Sequence, residues 1–370
     1  MIIGLGRLDR ASDPGLAHIL LAAPVGKCFS GNVISRIRPV FRTPVPNSKS
    51  MKSIFAHAML AALVASASAY GQTEAKTKPV GYETITLNAN QFNVIGLRLQ
   101  GASVAGGALD TIGTTSVTDN EGNFASTLSA SKTYILEITS GTLSGLTVEA
   151  TWTSGNVLNT PDNLSQAGIT AGTTYNLRPA LTLEEIFGTT NSVLTKGLTS
   201  VSADVVWIPN GVGGYNQYYL SNASTWKNAN GNALAPNIPI VYTDGVFVQK
   251  RGSGAVLTLS GEVKTGGSTV PLVNGFNLVS TVYPAGATLQ NLGLEDDVQK
   301  GLTSVNADII WVPDGTGNYK QYFLNNSNVW KYADNTVAPA DVALTSGILI
   351  QRKGASKVFT FTSPSAYGSL

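Results

Sequence analysis

Trp207 and Trp311 occupy equivalent places in two versions of one passage, "ADVVWIPNGVGGYNQYYL" from Ala203 and "ADIIWVPDGTGNYKQYFL" from Ala307. Trp226 and Trp330 follow in "STWKNA" and "NVWKYA", and Tyr218 and Tyr322 lie between. Together these six could form stacking platforms for sugar rings, since aromatic faces bury apolar sugar surface while nearby Asn and Gln supply hydrogen bonds. The plainer explanation is that duplicated tryptophans fill duplicated cores.

Asp204 and Asp308 offer a second chemistry, because paired carboxylates can hydrolyse glycosides. An acid and a base need unlike environments, however, and these two sit in the same local text. A turn-capping or backbone-bonding role is therefore expected of them. "TDNEGNF", from Thr118, gathers Asp119, Asn120, Glu121 and Asn123 around Gly122 in a superficial likeness to a calcium loop. It lacks the spaced ligands and terminal bidentate Glu of an EF-hand, so a hairpin turn is expected, with a weak calcium site as the alternative. Gly211 and Gly213, like Gly315 and Gly317, precede no helix and no Lys-Ser or Lys-Thr, which removes the phosphate-loop reading. Glu295, Asp296 and Asp297 read as a solvated helix end.

Composition narrows the field further. Of 370 residues, 43% are apolar, 12% are charged and 39 are Gly, a balance that suits strands and turns. "MKSIFAHAMLAALVASASAYGQT", from Met51, has a basic start, an apolar run and the small-residue pattern Ala67-Ser68-Ala69. This reads as a signal peptide over 51–69, its apolar run too short for a permanent membrane span. Residues 1–50 then read as a mis-called upstream segment, the rival being a basic leader with Arg36, Arg38 and Arg42. From Tyr70 onward the chain has no His, no Cys and no Met. Nucleophilic sites built on imidazole or thiol, and the usual zinc, haem and iron-sulfur sites, lose their residues there. The leading 69 residues also hold 8 of the 24 Lys and Arg but 2 of the 22 Asp and Glu, leaving the exported part net acidic. An acidic chain without basic clusters argues against a nucleic-acid partner. No cofactor is called for.

The duplicated passage belongs to a longer repeat. "GLTSVSADVVWIP" from Gly197 matches "GLTSVNADIIWVP" from Gly301, and "GVFVQKRG" from Gly245 matches "GILIQRKG" from Gly347. About half of the positions agree, which marks a duplication. "GFNLVSTVYPAGATLQNLG" opens the second copy, and "QFNVIGLRLQ" and "ALTLEEIFG" supply its counterparts in the first. The expected organisation is an all-β chain of two tandem β modules, sandwich or barrel-like, with one short helix each. A linker covers 70–90, the first module 91–265 and the second 266–370. The first module carries a small β subdomain inserted at about 101–178, since surface connections tolerate such insertions.

Within each copy the pattern is strand, glycine turn, strand. In the insertion, "TSVTDNEGNFASTLS" reads as a hairpin, and "TYILEITSG" and "LTVEATWTSG" as strands. Alternation places Tyr215, Gln217 and Tyr219 on one strand face and Asn216, Tyr218 and Leu220 on the other. The Tyr219-to-Phe323 exchange predicts a core position. Tyr218 and Tyr322 keep their hydroxyls, which predicts partial exposure and hydrogen bonding.

The signal peptide, the "GFNLVSxxxP" opening, the "ADxxWxPxGxGxYxQYxL" hairpin and the "GxxxQ[KR][KR]G" close resemble a family of secreted, repeat-containing β proteins known mainly from verrucomicrobial genomes. "YILEITSGTLSG" and "YNLRPALTLEEIFG" are similar to that family's central segment. The resemblance covers about residues 91–365 and implies an exported β protein, with no catalytic residue to carry over. Members often bear a C-terminal sorting anchor, whereas this chain ends "SPSAYGSL" without an apolar tail. The resulting expectation is a non-enzymatic structural or interaction protein of the bacterial cell envelope: periplasmic, on the cell surface or extracellular. The alternatives are a carbohydrate-binding module and, more weakly, an outer-membrane β-barrel. The expected partners are polysaccharide or envelope proteins.

Overall fold

The computed structural model describes residues 78–190, 192–344 and 347–369. The expected upstream segment, the expected signal peptide and the first residues of the expected linker lie outside these. Among the described residues strands dominate, and helix is confined to short turns at Phe124–Thr127, Leu183–Phe187, Leu294–Asp296 and Ser365–Ser369. The chain is all-β.

Two five-stranded antiparallel sheets are built to one plan. The first runs Trp226–Asn228, Tyr215–Leu220, Val205–Pro209, Gly245–Gln249, Phe92–Gly96, and the second runs Trp330–Tyr332, Tyr319–Leu324, Ile309–Pro313, Gly347–Arg352, Gly275–Ser280. Register agrees as well: Trp207 faces Gln217 as Trp311 faces Gln321, and Val206 faces Val248 as Ile310 faces Ile350. β-branched and aromatic residues alternate along these strands, so each sheet has one deeply buried face. Val206, Trp226 and Val248 from the first sheet and Ile310, Trp330 and Ile350 from the second join a single core, together with Phe359 and Phe361. The modules are thus fused through their interior rather than set side by side.

Their junction is reciprocal. Each sheet's opening strand touches the other sheet's Gly245–Gln249 or Gly347–Arg352. Backbones approach closely here, Ser280 N donating to Thr243 O at 2.9 Å. A Cβ on Gly96 would meet Ser280 Oγ at 2.7 Å, and one on Gly347 would meet Val94 Cγ1 at 2.8 Å, so glycine is required at both points. The repeated hairpins lap across the junction too. Asn88 Nδ2 donates to Gly315 O at 2.9 Å, while Gly211, Gly213 and Gly214 wall a small cavity with Phe276 and Asn277.

Residues 105–179 form a seven-stranded sheet over their own core, which includes Val117, Phe124, Tyr134, Leu136, Val148 and Leu177. Its edge strands, Ala105–Ala108 and Thr111–Ile112, are separated by two residues, so the sheet curls round that core with its ends unpaired. "TSVTDNEGNFASTLS" is not the hairpin expected: a strand at Ser116–Thr118 ends in a turn and the helical turn Phe124–Thr127, because Phe124 must reach this core. Leu183–Phe187 is helical as the sequence predicts, held by a capping box between Thr182 and Glu185. Its counterpart in the second copy is only the 3-10 turn Leu294–Asp296.

The expected linker over 70–90 is corrected at its second half. Val80–Leu87 is a full strand that pairs with Ala255–Val263, whose far end also pairs with Leu99–Gln100. No sheet among the described residues closes into a barrel. No helix among them is long and apolar enough to cross a membrane.

Candidate functional site

Asp204 and Asp308 anchor the same construction twice. Asp204 is fully buried; its Oδ2 accepts from Lys250 Nζ at 2.6 Å and Thr195 N at 2.7 Å, and its Oδ1 accepts from Arg251 N at 2.7 Å. Asp308 repeats this with Arg352 Nη1 at 2.5 Å, Gln299 N at 2.8 Å and Lys353 N at 2.7 Å. Burial works to raise the Asp204 carboxyl, but the Arg251 N–H, Lys250 and the Thr195 N–H together hold it below its ordinary value. The backbone-bonding role read from the sequence describes both residues. With their oxygens engaged in this way, neither is poised as an acid or a base.

What each aspartate closes is a loop. Asp204 N also donates to Thr195 O at 3.0 Å, and Asp308 N to Gln299 O at 2.9 Å, so each carboxylate ties the two ends of an eight-residue excursion. Inside it, a Cβ on Gly197 would meet Ala203 N at 2.6 Å and one on Gly301 would meet Ala307 N at 2.9 Å. The Gly and Asp of the repeated "GLTSV…AD" therefore have structural reasons. Its Leu and Val do not: Leu198 and Leu302 are 78% and 77% exposed, and Val201 and Val305 are 77% and 75% exposed. A third pair, Leu234 at 68% and Val337 at 67%, lies opposite the outer strands beside Lys227 and Lys331. In the second copy Ser304 Oγ donates to Ala333 O at 3.2 Å, joining loop and outer edge. Each module thus exposes three aliphatic side chains that its folding does not require, two on this loop and one beside the outer strand; this end of each module is its tip. The sequence signal was there, in apolar residues beside turn glycines that both copies keep, but burial had to be known before it could be read.

The six aromatic candidates divide between two environments. Trp226, Trp330, Tyr218 and Tyr322 are buried in the common core, where the two tryptophans fill duplicated cores; the partial exposure expected of the two tyrosines is corrected, and the stacking platform is left to Trp207 and Trp311. Tyr218 and Tyr322 share a strand face with Leu220 and Leu324, the face that packs inward. Tyr219 and Phe323 are also buried, as expected, although the Tyr219 hydroxyl still donates to Asn232 Oδ1 at 2.8 Å.

Of the six, Trp207 and Trp311 alone remain partly exposed, on the opposite face. Phe92 meets Trp207 edge-on at 5.8 Å and Trp207 meets Tyr215 at 6.3 Å; Phe276, Trp311 and Tyr319 repeat both distances. Val94, Leu278 and Leu349 form one cluster with Tyr215 and Phe247 of the first sheet and Trp311 and Tyr319 of the second, so the two ladders meet along this aromatic face. Both indole N–H groups are buried without an acceptor among the described residues, so only ring faces are offered outward.

The calcium candidates do not converge. Asp119 is buried, with Oδ1 accepting from Glu121 N and Gly122 N and Oδ2 from the Tyr175 hydroxyl at 2.7 Å. Asn120 N donates to Asp110 Oδ2 at 2.6 Å, and Asn123 makes no side-chain cap. The cluster is a turn locked onto the inserted subdomain. No group of three or more His, Cys, Asp or Glu among the described residues is arranged to hold a metal.

Sequence reasoning also missed the charges at the root of that subdomain. Glu137 pairs with Lys264 and, at 3.5 Å, with Arg178, which reaches Glu262 at 2.8 Å. Beside this root Asp244 lines the cavity of about 100 Å³ under the first hairpin, where burial and then the charge of Glu149 push its carboxyl up to about 7. Between about pH 4 and 7 the folded chain keeps a proton there that the unfolded chain has released, so this group makes stability fall as pH rises through that window. Asp244→Asn is expected to abolish that fall and to raise stability at pH 8 by roughly 1–3 kcal/mol, read from urea midpoints across pH. A variant whose stability curve superimposes on the wild-type curve would remove Asp244 from the account.

No family model, curated protein or solved structure matches the chain.

Proposed function

We infer that the chain is an exported, non-enzymatic interaction protein of the bacterial cell envelope, binding through two equivalent apolar tips. The observation that carries this reading is the matched exposure of Leu198 with Leu302, Val201 with Val305 and Leu234 with Val337. Buried residues are kept in duplicated modules because cores must be filled. Aliphatic side chains held in water twice over serve no such need, and clustered exposed apolar residues are what partner surfaces are made of. Two such tips in one chain allow bivalent attachment, which multiplies affinity without new kinds of contact.

The test is binding of the purified exported chain to isolated envelope fragments, with Leu198→Ser, Leu302→Ser and the double variant. All three are expected to fold with stability within about 0.5 kcal/mol of wild type, because the side chains are exposed. Each single variant is expected to bind more weakly, and the double variant to lose a further 10²-fold or more. Equal binding by all four proteins, or robust turnover of a polysaccharide or ester by the wild-type chain, would sink the reading.

A carbohydrate-binding role is the second reading, favoured by one observation: the Phe92–Trp207–Tyr215 ladder and its counterpart share their geometry and stand opposite Gln217 and Gln321. Saturable quenching of Trp fluorescence by a soluble polysaccharide, lost in folded Trp207→Ala and Trp311→Ala variants, would put this reading first.

A further inference from the structure

The strand Val80–Leu87 pairs along its whole length with Ala255–Val263, and among the described residues no strand covers its other side. Val263 N donates to Pro79 O at 2.8 Å, which makes Pro79 and Val263 a hydrogen-bonded pair. In an antiparallel ladder such pairs alternate with pairs whose backbone groups point away. Gly81, Glu83, Ile85 and Leu87 therefore bond to Ala255–Val263, and Val80, Tyr82, Thr84 and Thr86 direct their N–H and C=O groups outward. The side chains of these four are exposed, Val80 at 70% and Tyr82 at 51%.

Open edges of this length are normally blunted by Lys, Pro, a bulge or an inward-pointing charge. From Val80 to Leu87 there is no Lys and no Pro, and the register runs without a bulge. The single charge, Glu83, is an inward-pointing one, but it is buried on the inner face and neutralised by its pairing with Arg98.

We propose that this edge binds the same edge of a second copy of the chain, antiparallel, joining two three-stranded sheets into one of six. The strand is self-complementary about Glu83: Tyr82 then faces Thr84 of the other copy and Val80 faces Thr86, so all four outward residues on each copy are satisfied. A shift of the centre by one residue towards the C-terminus would oppose Val80 with Asn88, whose N–H already donates to Asn93 Oδ1 at 2.7 Å. In the centred register the two Glu83 side chains come together, each bringing its own Arg98. The proposal is independent of the tips and of the aromatic face, which lie on other elements.

The experiment is sedimentation velocity on the exported chain over rising concentration, for wild type, Thr84→Pro, Tyr82→Lys and Val212→Lys. Thr84→Pro removes an outward N–H, a change that an edge strand tolerates. Tyr82→Lys places a charge where the copies would meet, and Val212→Lys makes the same kind of change on the first hairpin tip as a control. The expected result is a dimer for wild type and Val212→Lys, and folded monomers for the two edge variants. If Thr84→Pro fails to fold, Tyr82→Lys decides alone. A wild-type chain that stays monomeric at roughly 100 µM, where a micromolar Kd would give mostly dimer, overturns the proposal, and so does a dimer that persists in the folded edge variants.

Discussion

Asp204→Ala is expected to cost the folded chain about 3–5 kcal/mol, the range seen when one member of a buried ion pair is removed. The physical reason is what stays behind. Lys250 is nearly fully buried and, among the described residues, has only Val193 O, at 3.1 Å, as a further acceptor, and the Thr195 and Arg251 N–H groups lose theirs. The measurement is the urea midpoint, with unchanged slope confirming that the cost lies in the native state. Adding Lys250→Met should recover much of the loss, because an apolar pair of similar volume is close to neutral at such sites. Asp308→Ala should behave alike, and a loss under about 1 kcal/mol in both would show that water reaches these sites. The pH dependence has the opposite sign to that of Asp244: since the Asp204 carboxyl is held below its ordinary value of 3.8, its contribution is present above that pH and lost as acid titrates it.

Glu137→Ala is the second large effect, about 3 kcal/mol, and it should be local. Arg178 retains Glu262, but Lys264 is buried and loses its carboxylate. The inserted subdomain has its own core, so it can open at its root without unfolding the two five-stranded sheets. Hydrogen exchange is expected to accelerate in Thr133–Ile138 and Thr174–Pro179, which carry Glu137 and Arg178, and to stay unchanged in Ile309–Pro313. Uniform acceleration through both five-stranded sheets would mean that the subdomain and the modules form one cooperative unit.

Period-two alternation and glycine turns were enough to read the all-β class, the hairpins around Gly211 and Gly315, and the pairing of "QFNVIG" with "GFNLVS" as opposite numbers. These are local signals, and local signals survive in sequence. The strand at Val80–Leu87 was also legible, with Val, Tyr and Thr alternating against Ile and Leu, although it falls within the expected linker. The expected exposure of Tyr218 failed for a different reason. Alternation says which residues share a face, while only the packing of two sheets into one core says which face is inside. The charged root of the subdomain was beyond sequence altogether, since Glu137, Arg178 and Lys264 are brought together by three separate strands or their ends. Asp204 and Asp308 were the most legible of the site residues, because symmetry of context argued against unlike roles.

The matched registers of the two sheets carry a consequence for how the chain reaches this state. Phe92–Gly96 and Gly275–Ser280 are close enough in sequence to fit one another's slot, and the partner that Phe92–Gly96 needs lies beyond the whole inserted subdomain, whereas both opening strands stand near the same junction. Closing the longer loop is the slower event. During refolding the later opening strand therefore competes for the earlier sheet, and an exchanged arrangement is the natural kinetic trap of this topology, within one chain or between two.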